Sequence, residues 1–256
     1  MFIQELIKGL GSYFKAHQVI FKYKLWPYMI IPGIMSLCYI FTLIILGNIW
    51  FSHISDYINM NWIPGFLQGE VMQTITTFLL WVLLFLTGYI SYQPFILILF
   101  SPVLGYLSEI TENHIYKQES PPFNFKNLLK DILRSLIINI RNIIKMIFFI
   151  AAAWIFIIIP IIGTIISSFL ILMIQSFYNG FSLTDYTLER KRFTVKESIA
   201  FIKNNRAMTT GIGLGFMLMM FVPVFGWAAA PAYGTVASTI AALEKINNKH
   251  LSDMQL

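Results

Sequence analysis

Four long stretches of the chain contain no Asp, Glu, Lys, Arg or His, and they alternate with shorter segments that carry the charge. The uncharged stretches cover residues 25–52, 71–108, 146–184 and 207–243. A helix needs about 20 apolar residues to cross a hydrocarbon core of roughly 30 Å. The pattern therefore predicts an all-α membrane protein built from these four segments, in a single integral membrane domain over residues 1–256.

The first two stretches predict two long transmembrane helices. Trp26 and Trp50 lie near the two ends of the first, as expected of aromatic belts at the membrane interfaces. The second has 38 residues, which exceeds one crossing but leaves too little for two crossings and a turn. We expect one long helix, kinked at Pro94 and Ser101-Pro102, with an amphipathic extension into the cytosol.

The third and fourth stretches predict helical hairpins, because each is interrupted by the same turn signal. Pro160-Ile-Ile-Gly163 divides the third and Pro223-Val-Phe-Gly226 divides the fourth. The ascending arms have 14 and 16 residues, and reach only roughly 21–24 Å at 1.5 Å per residue. This length favours two partly inserted, re-entrant hairpins, although local thinning of the bilayer would also permit full crossings.

Two further helices are indicated in the charged segments. Apolar residues recur at helical spacing from Phe125 to Ile140, while Lys126, Lys130 and Arg134 follow the opposite face. Such a basic amphipathic helix either lies on an anionic membrane surface or packs against a partner helix. Thr194 to Glu197 forms a capping-box pattern, which predicts a short cytosolic helix.

The composition agrees with a lipid environment, since 57% of the residues are hydrophobic and 12% are charged. None of the 18 Lys and Arg residues lies between residues 50 and 70, and all 18 fall in segments on one side of the predicted membrane. The positive-inside rule makes that side cytosolic. We therefore expect a multi-pass protein of the inner (cytoplasmic) membrane with cytosolic termini, and no nucleic-acid partner.

The polar residues give little sign of catalysis. The four histidines are far apart in sequence, and no metal-binding or paired-carboxylate motif surrounds them. No ionisable residue lies at mid-span, which disfavours a proton relay. Gly211, Gly213 and Gly215 indicate close helix packing and not a phosphate loop. We expect no enzymatic activity and no cofactor.

Basic residues that flank the membrane entries are the candidate binding residues. Lys24, Arg134 and Arg206 would form a cationic vestibule that concentrates anions, or would serve only as topology anchors that reach toward lipid headgroups. Asp185 and Glu189 lie beside a basic run, and we expect them to form cytosolic ion pairs.

Several short motifs, in order and spacing, resemble one membrane family. They are Ile30-Ile-Pro32, the segment from Ser101 to Glu109, Lys130-Asp131 with Arg134, Ile159 to Gly163, Asp185-Tyr186 through Glu189 to Phe193, Gly213, Pro223 and Ala-Pro-Ala-Tyr-Gly-Thr235. Together they make the sequence similar to the CysZ-type sulfate permeases, whose family also contains etoposide-induced-protein domains. The resemblance implies two long transmembrane helices, two partly inserted hairpins, homo-oligomers and a channel-like route for sulfate into the cytosol.

The chain departs from this family just ahead of the first span. Members that bind sulfate carry a Gly-Leu-Arg motif there, whereas this chain reads Lys24-Leu25-Trp26-Pro27. Lys22 and Lys24 would attract an anion as point charges. The expected substrate-binding residues are thus Lys22, Lys24, Arg134 and Arg206. The expected function is a permease for a small inorganic anion, and the alternative is a non-transporting protein that organises lipid.

Overall fold

The structure is a computed structural model that describes residues 2–116, 125–159, 161–222 and 225–253. Within these ranges the regular structure is helical and contains no β-strand. Nine α-helices follow one another: α1 Phe2–Lys22, α2 Ile30–Asn61, α3 Glu70–Leu99, α4 Ser101–Tyr116, α5 Phe125–Trp154, α6 Ile162–Arg190, α7 Val195–Asn204, α8 Arg206–Met220 and α9 Phe225–Asp253. Short 3-10 turns occupy Trp26–Met29, Gly65–Leu67 and Ile155–Ile158.

The prediction of an all-α membrane protein is confirmed. By length and composition, four helical stretches of the described residues are able to cross a membrane: Trp26–Asn61, Glu70–Gly88, Leu133–Ile158 and Ile162–Arg190. The last two, Leu133–Ile158 and Ile162–Arg190, form the first predicted hairpin. They have 26 and 29 residues, so the helices of this hairpin extend beyond the uncharged stretch 146–184 at both ends. Whether the hairpins insert partly or cross fully stays a prediction.

Helix boundaries differ from the limits of the uncharged stretches. α2 continues nine residues beyond Ser52, to Asn61, because backbone hydrogen bonds do not depend on side-chain polarity. α5 joins the predicted amphipathic helix and the first hairpin arm in one helix of 30 residues. Lys126 and Lys130, on its predicted basic face, have side chains outside the described part, as do Pro160 and Pro223 of the turns.

Residues 34–95 form one compact unit, the helix pair α2 and α3. Gly47 lies against the indole of Trp81, so a β-carbon at Gly47 would come within 2.5 Å of that ring. The Tyr39 hydroxyl donates to the Gly88 carbonyl at 2.9 Å. The hydroxyls of Ser36 and Tyr92 are 2.5 Å apart. Small residues and internally satisfied hydroxyls thus hold two apolar helices together in a low-dielectric setting.

The second unit comprises residues 1–33 and 96–256. α1 packs on α8 and α9, α6 packs on α5, α8 and α9, and α4 packs on α6 and α9. Three buried hydroxyls, on Ser108, Thr187 and Thr239, join α4, α6 and α9 in a closed triangle with O···O distances of 2.9–3.1 Å. Each hydroxyl finds its partner within the protein, so the three buried groups are satisfied without water.

The described residues on either side of the two hairpin turns share one pattern of backbone hydrogen bonds. Ile159 donates to the Phe156 carbonyl, and Gly163 then donates to the Ile159 carbonyl at 3.0 Å. In the second turn Val222 donates to Met219, and Gly226 donates to Val222 at 2.9 Å. Each glycine also lies against the carbonyl oxygen seven residues before it. Gly163 contacts the carbonyl of Phe156 and Gly226 that of Met219, and a β-carbon on either glycine would clash with that oxygen. The predicted repeat of Pro-x-x-Gly is therefore a repeat of structure.

The predicted close packing at the glycines of α8 is also confirmed. Gly213 faces Gly180 of α6, and a β-carbon at either would overlap a backbone carbonyl of the other helix. Gly211 makes the same kind of approach to Leu6 of α1. The predicted capping box is present as well, since the Thr194 side chain and the Glu197 carboxylate each bond the backbone amide of the other.

Candidate functional site

Arg134 of α5 lies at the centre of a buried polar network. Its guanidinium donates to both carboxylate oxygens of Asp185 at 3.0 and 3.1 Å, and to Glu189 at 3.2 Å. It also donates to the Ser198 hydroxyl at 2.6 Å and the Phe193 carbonyl at 3.1 Å. An arginine has five N–H groups, and all five are used here. The predicted substrate-binding role of Arg134 stays a prediction, and would require at least one of these bonds to open.

A second network neutralises Glu112, which is 2% exposed in α4. Lys191 donates to its carboxylate at 2.5 Å, and Arg190 donates to the other oxygen. Burial alone would raise the pKa of Glu112, but the hydrogen bonds from Lys191 and Arg190 outweigh it and hold that pKa below its usual value. The expectation that Asp185 and Glu189 form ion pairs is confirmed, and both pair with Arg134.

Three other cations form a group that we call the basic cluster: Arg141, Lys145 and Lys203. Arg141 and Lys145 are one turn apart on α5, so they share a face. Lys203 approaches from α7, and the positive charges of Arg141 and Lys203 both act on Lys145. Ile202 of α7 and Ile138 of α5 belong to one buried apolar cluster, and Ser198 of α7 accepts a hydrogen bond from Arg134 of α5, so this part of α7 lies near α5.

The basic cluster has no acidic partner in the part of the chain that the structure describes. The carboxylates of Glu5, Glu112, Asp185, Glu189 and Glu244 pair with other cations. Arg141 donates to the Asn142 side-chain oxygen at 3.3 Å, and lies 6.0 Å from the centroid of the Phe181 ring. The Asn142 amide nitrogen is buried and has no hydrogen-bond partner. Three positive charges thus lie near enough to act on one another, and such a group attracts anions.

The basic cluster lies where both hairpins begin. Lys145 directly precedes Met146, the first residue of the third uncharged stretch, and Lys203 lies one turn before Ala207, the first residue of the fourth. Arg206, one of the predicted residues, is exposed next to it and donates to the Lys203 carbonyl at 3.0 Å. A cationic surface therefore borders the entry of both apolar hairpins.

Lys22 and Lys24 lie elsewhere in the same unit. Leu6 of α1 contacts Gly211 of α8, whereas Lys22 ends α1 sixteen residues further on, which is about 24 Å along the helix. Lys22 lies over the Tyr23 ring at 5.2 Å. The structure therefore separates these two lysines from Arg206, and the four predicted residues do not converge on one point.

Lys24 occupies the position at which helices often place glycine. Its φ of 54° is left-handed, its amide donates to the Phe21 carbonyl, and the Leu25 amide donates to the Ile20 carbonyl at 2.8 Å. This is a Schellman motif, and its usual hydrophobic contact is supplied by Leu25 and Ile20, which belong to one buried apolar cluster. Because both amides satisfy α1 carbonyls, neither is available to an oxyanion at this turn.

Sequence reasoning missed the basic cluster, although part of its signal was present. Arg134, Arg141 and Lys145 are spaced by seven and four residues, which aligns them on one helical face. The pattern could not distinguish the neutralised Arg134 from the other two, since that requires knowing which carboxylates pack nearby. Among the described residues no three His, Cys, Asp or Glu side chains are grouped as metal ligands.

Comparison with known proteins gives one result for the whole chain. A family model described as "Sulfate transporter CysZ/Etoposide-induced protein 2.4" matches residues 12–231. The match includes the basic cluster, both ion-pair networks and both hairpin turns. No curated protein matches the chain.

Proposed function

The chain belongs to the sulfate transporter CysZ/etoposide-induced protein 2.4 family, and on that premise we propose that it is a channel-like permease that carries a small inorganic anion, sulfate, into the cytosol. The family is of the transporter type and the protein is a membrane protein, so its apolar helices require lipid. We further propose that it lies in the inner membrane as a homo-oligomer with both termini in the cytosol.

The basic cluster is the observation that supports this proposal. Cations that already have carboxylate partners, such as Arg134, offer little to a passing anion. Arg141, Lys145 and Lys203 have no such partner within the described ranges, and the potential they create raises the local concentration of anions. We propose that they form the anion-attracting mouth of the permeation route, together with Arg206.

The same cluster supports partial insertion of the first hairpin. If Lys145 stays at the headgroups, the arm that follows it has 13 residues to Ile158 and reaches about 20 Å. The 15 residues of α8 reach about 22 Å. Both arms are shorter than a hydrocarbon core of roughly 30 Å, so the two turns would end inside the membrane. The distance that an anion must cross through the apolar core would then be shorter.

Sulfate uptake into proteoliposomes tests the proposal. We expect the combined replacement Arg141→Gln, Lys145→Gln and Lys203→Gln to lower the initial rate by about tenfold, in line with electrostatic steering. Raising the ionic strength should shrink that difference, because salt screens the field. A rate for the triple variant equal to that of the unaltered protein would refute the role of the cluster, and no uptake by either protein would refute the permease.

One observation favours the alternative, a non-transporting protein that organises lipid. The turn ahead of the first span offers no free amides at Lys24 or Leu25, and Trp26 stands where the related motif has arginine. If no sulfate, sulfite, thiosulfate or chloride crosses reconstituted vesicles, this alternative remains, and altered lipid composition in a deletion strain would support it.

A further inference from the structure

α1 carries two apolar faces, of which the fold uses one. Gly9 and Ala16 pack inside the unit, where a β-carbon on Gly9 would overlap the Met208 carbonyl and Ala16 is fully buried. A second set, which we call the outer stripe, remains exposed. It consists of Ile3, Ile7, Phe14 and Phe21, with exposed fractions of 70%, 58%, 78% and 60%.

The outer stripe is continuous along the helix. At 100° per residue, steps of four, seven and seven residues keep its four side chains within an arc of about 40°. α1 has 21 residues and so extends about 30 Å, which makes the outer stripe as long as the helix itself. α1 is not among the stretches able to cross a membrane. A helix of this kind lies in the plane of an interface.

Three lysines follow the outer stripe on one flank. Lys8, Lys15 and Lys22 each come directly after a residue of the stripe, and therefore repeat every seven residues beside it. Lys8 pairs with Glu5 at 3.0 Å and Lys15 with Glu244 at 2.6 Å, but both ammonium groups are more than half exposed. Exposed pairs of this kind are weak, so these groups can exchange to other anions.

Charge indicates what covers the outer stripe. With Lys245, which also contacts Glu5, four lysines on this flank meet two carboxylates. The excess is positive, and an anionic headgroup layer complements it. A second copy of the chain, docked stripe to stripe, would instead bring two lysine rows together. On the opposite flank α1 packs against α8, an arm of an apolar hairpin.

We propose that α1 is an in-plane anchor, whose outer stripe enters the headgroup region of an anionic leaflet while Lys8, Lys15 and Lys22 bind lipid phosphates. The anchor fixes the unit of residues 1–33 and 96–256 against the membrane surface, next to the point at which Trp26, 51% exposed, starts the first spanning stretch. This inference does not depend on transport.

Site-directed fluorescence quenching tests the anchor in the full chain. Cys38, the single cysteine, is replaced by serine, and one new cysteine is introduced as Phe14→Cys, Phe21→Cys or Lys8→Cys and labelled with bimane. The label at Phe41→Cys, 60% exposed in α2, reports correct insertion. The protein is reconstituted in vesicles of phosphatidylcholine with phosphatidylglycerol.

We expect brominated phosphatidylglycerol to quench the labels at Phe14 and Phe21 about threefold more strongly than the label at Lys8, and aqueous iodide to give the reverse order. Brominated phosphatidylcholine at the same fraction should quench less, because the lysines favour anionic lipid. Equal access of iodide to Phe14, Phe21 and Lys8 would overturn the anchor. So would cross-linking between Phe14→Cys positions of two copies with loss of lipid quenching, since a second copy would then cover the stripe.

Discussion

Asp185 receives two hydrogen bonds from the guanidinium of Arg134, at 3.0 and 3.1 Å, and its side chain is only 3% exposed. Arg141 lies seven residues beyond Arg134 on α5, and it has no carboxylate partner within the described ranges. One face of α5 therefore carries a cation that the fold has neutralised and two that it has not. This difference separates a structural arginine from cations that remain open to an anion.

Arg134→Met should destabilise the protein strongly. It would leave Asp185 and Glu189 buried without a counter-charge, and breaking one partner of a buried pair costs about 3–5 kcal/mol. Denaturant titration in detergent micelles measures the free energy of unfolding. Lys196→Met, an exposed change on α7, should stay within about 0.5 kcal/mol of the unaltered protein. If Arg134→Met kept its stability but lost sulfate uptake, Arg134 would bind substrate after all.

Gly213→Ala should destabilise the crossing of α6 and α8. The added β-carbon would come within 2.6 Å of the Ser176 carbonyl carbon, so the helices must separate at a cost of about 1–3 kcal/mol. Gly11→Ala is the matched control, because nothing lies within 4 Å of a β-carbon at that position. Alanine favours the helix more than glycine does, so this change should stabilise α1 by about 0.5–1 kcal/mol. Thermal unfolding in micelles compares the two. Equal and small shifts would contradict the close crossing.

Lys24→Gly should stabilise the protein by about 1 kcal/mol, since glycine adopts the left-handed φ of 54° without a clash. Gln18→Gly, in the middle of α1, should cost about 1 kcal/mol. Sulfate uptake should not change in Lys24→Gly, because the amides of Lys24 and Leu25 still bond α1 carbonyls. A marked loss of uptake in that variant would assign the Lys24 side chain to the substrate.

Stability should fall in acid partly through Glu112. Its pKa in the folded protein is lowered by Lys191 and Arg190, so the stability it contributes is complete above the unfolded pKa of about 4.3 and is lost as pH falls through the folded value. Glu112→Gln should flatten the loss of unfolding temperature below about pH 4.3. Glu109→Gln, on the same helix and without an ion pair in the described part, should not. Identical acid profiles for all three proteins would exclude this linkage.

The sequence predicted those features that depend on local chemistry. Pro-x-x-Gly marked two turns whose flanking residues share one hydrogen-bond pattern, and Gly163 and Gly226 each approach a carbonyl that any side chain would displace. Thr194 and Glu197 gave the capping box for a similar reason. In both cases the residues that determine the structure lie within a few positions of one another, so no long-range information is needed.

Features that depend on tertiary contacts were beyond sequence reasoning. Lys203 comes near Lys145 because Ile202 of α7 and Ile138 of α5 share one buried apolar cluster, and no spacing in the chain records that. Lys24 retains a left-handed turn although lysine replaces the glycine expected there, because the buried pair Leu25 and Ile20 holds the helix end.

The most direct test of the proposed anion mouth compares two lysines of one helix. Lys203→Gln removes a charge from the basic cluster, and Lys196→Gln removes the same charge from the start of α7, outside the cluster. Both are reconstituted at equal density, and the initial rate of radiolabelled sulfate uptake is measured at low and high ionic strength. We expect Lys203→Gln alone to slow uptake, by roughly threefold at low ionic strength and less at high ionic strength. Equal rates for the two variants, or an equal loss in both, would contradict the account.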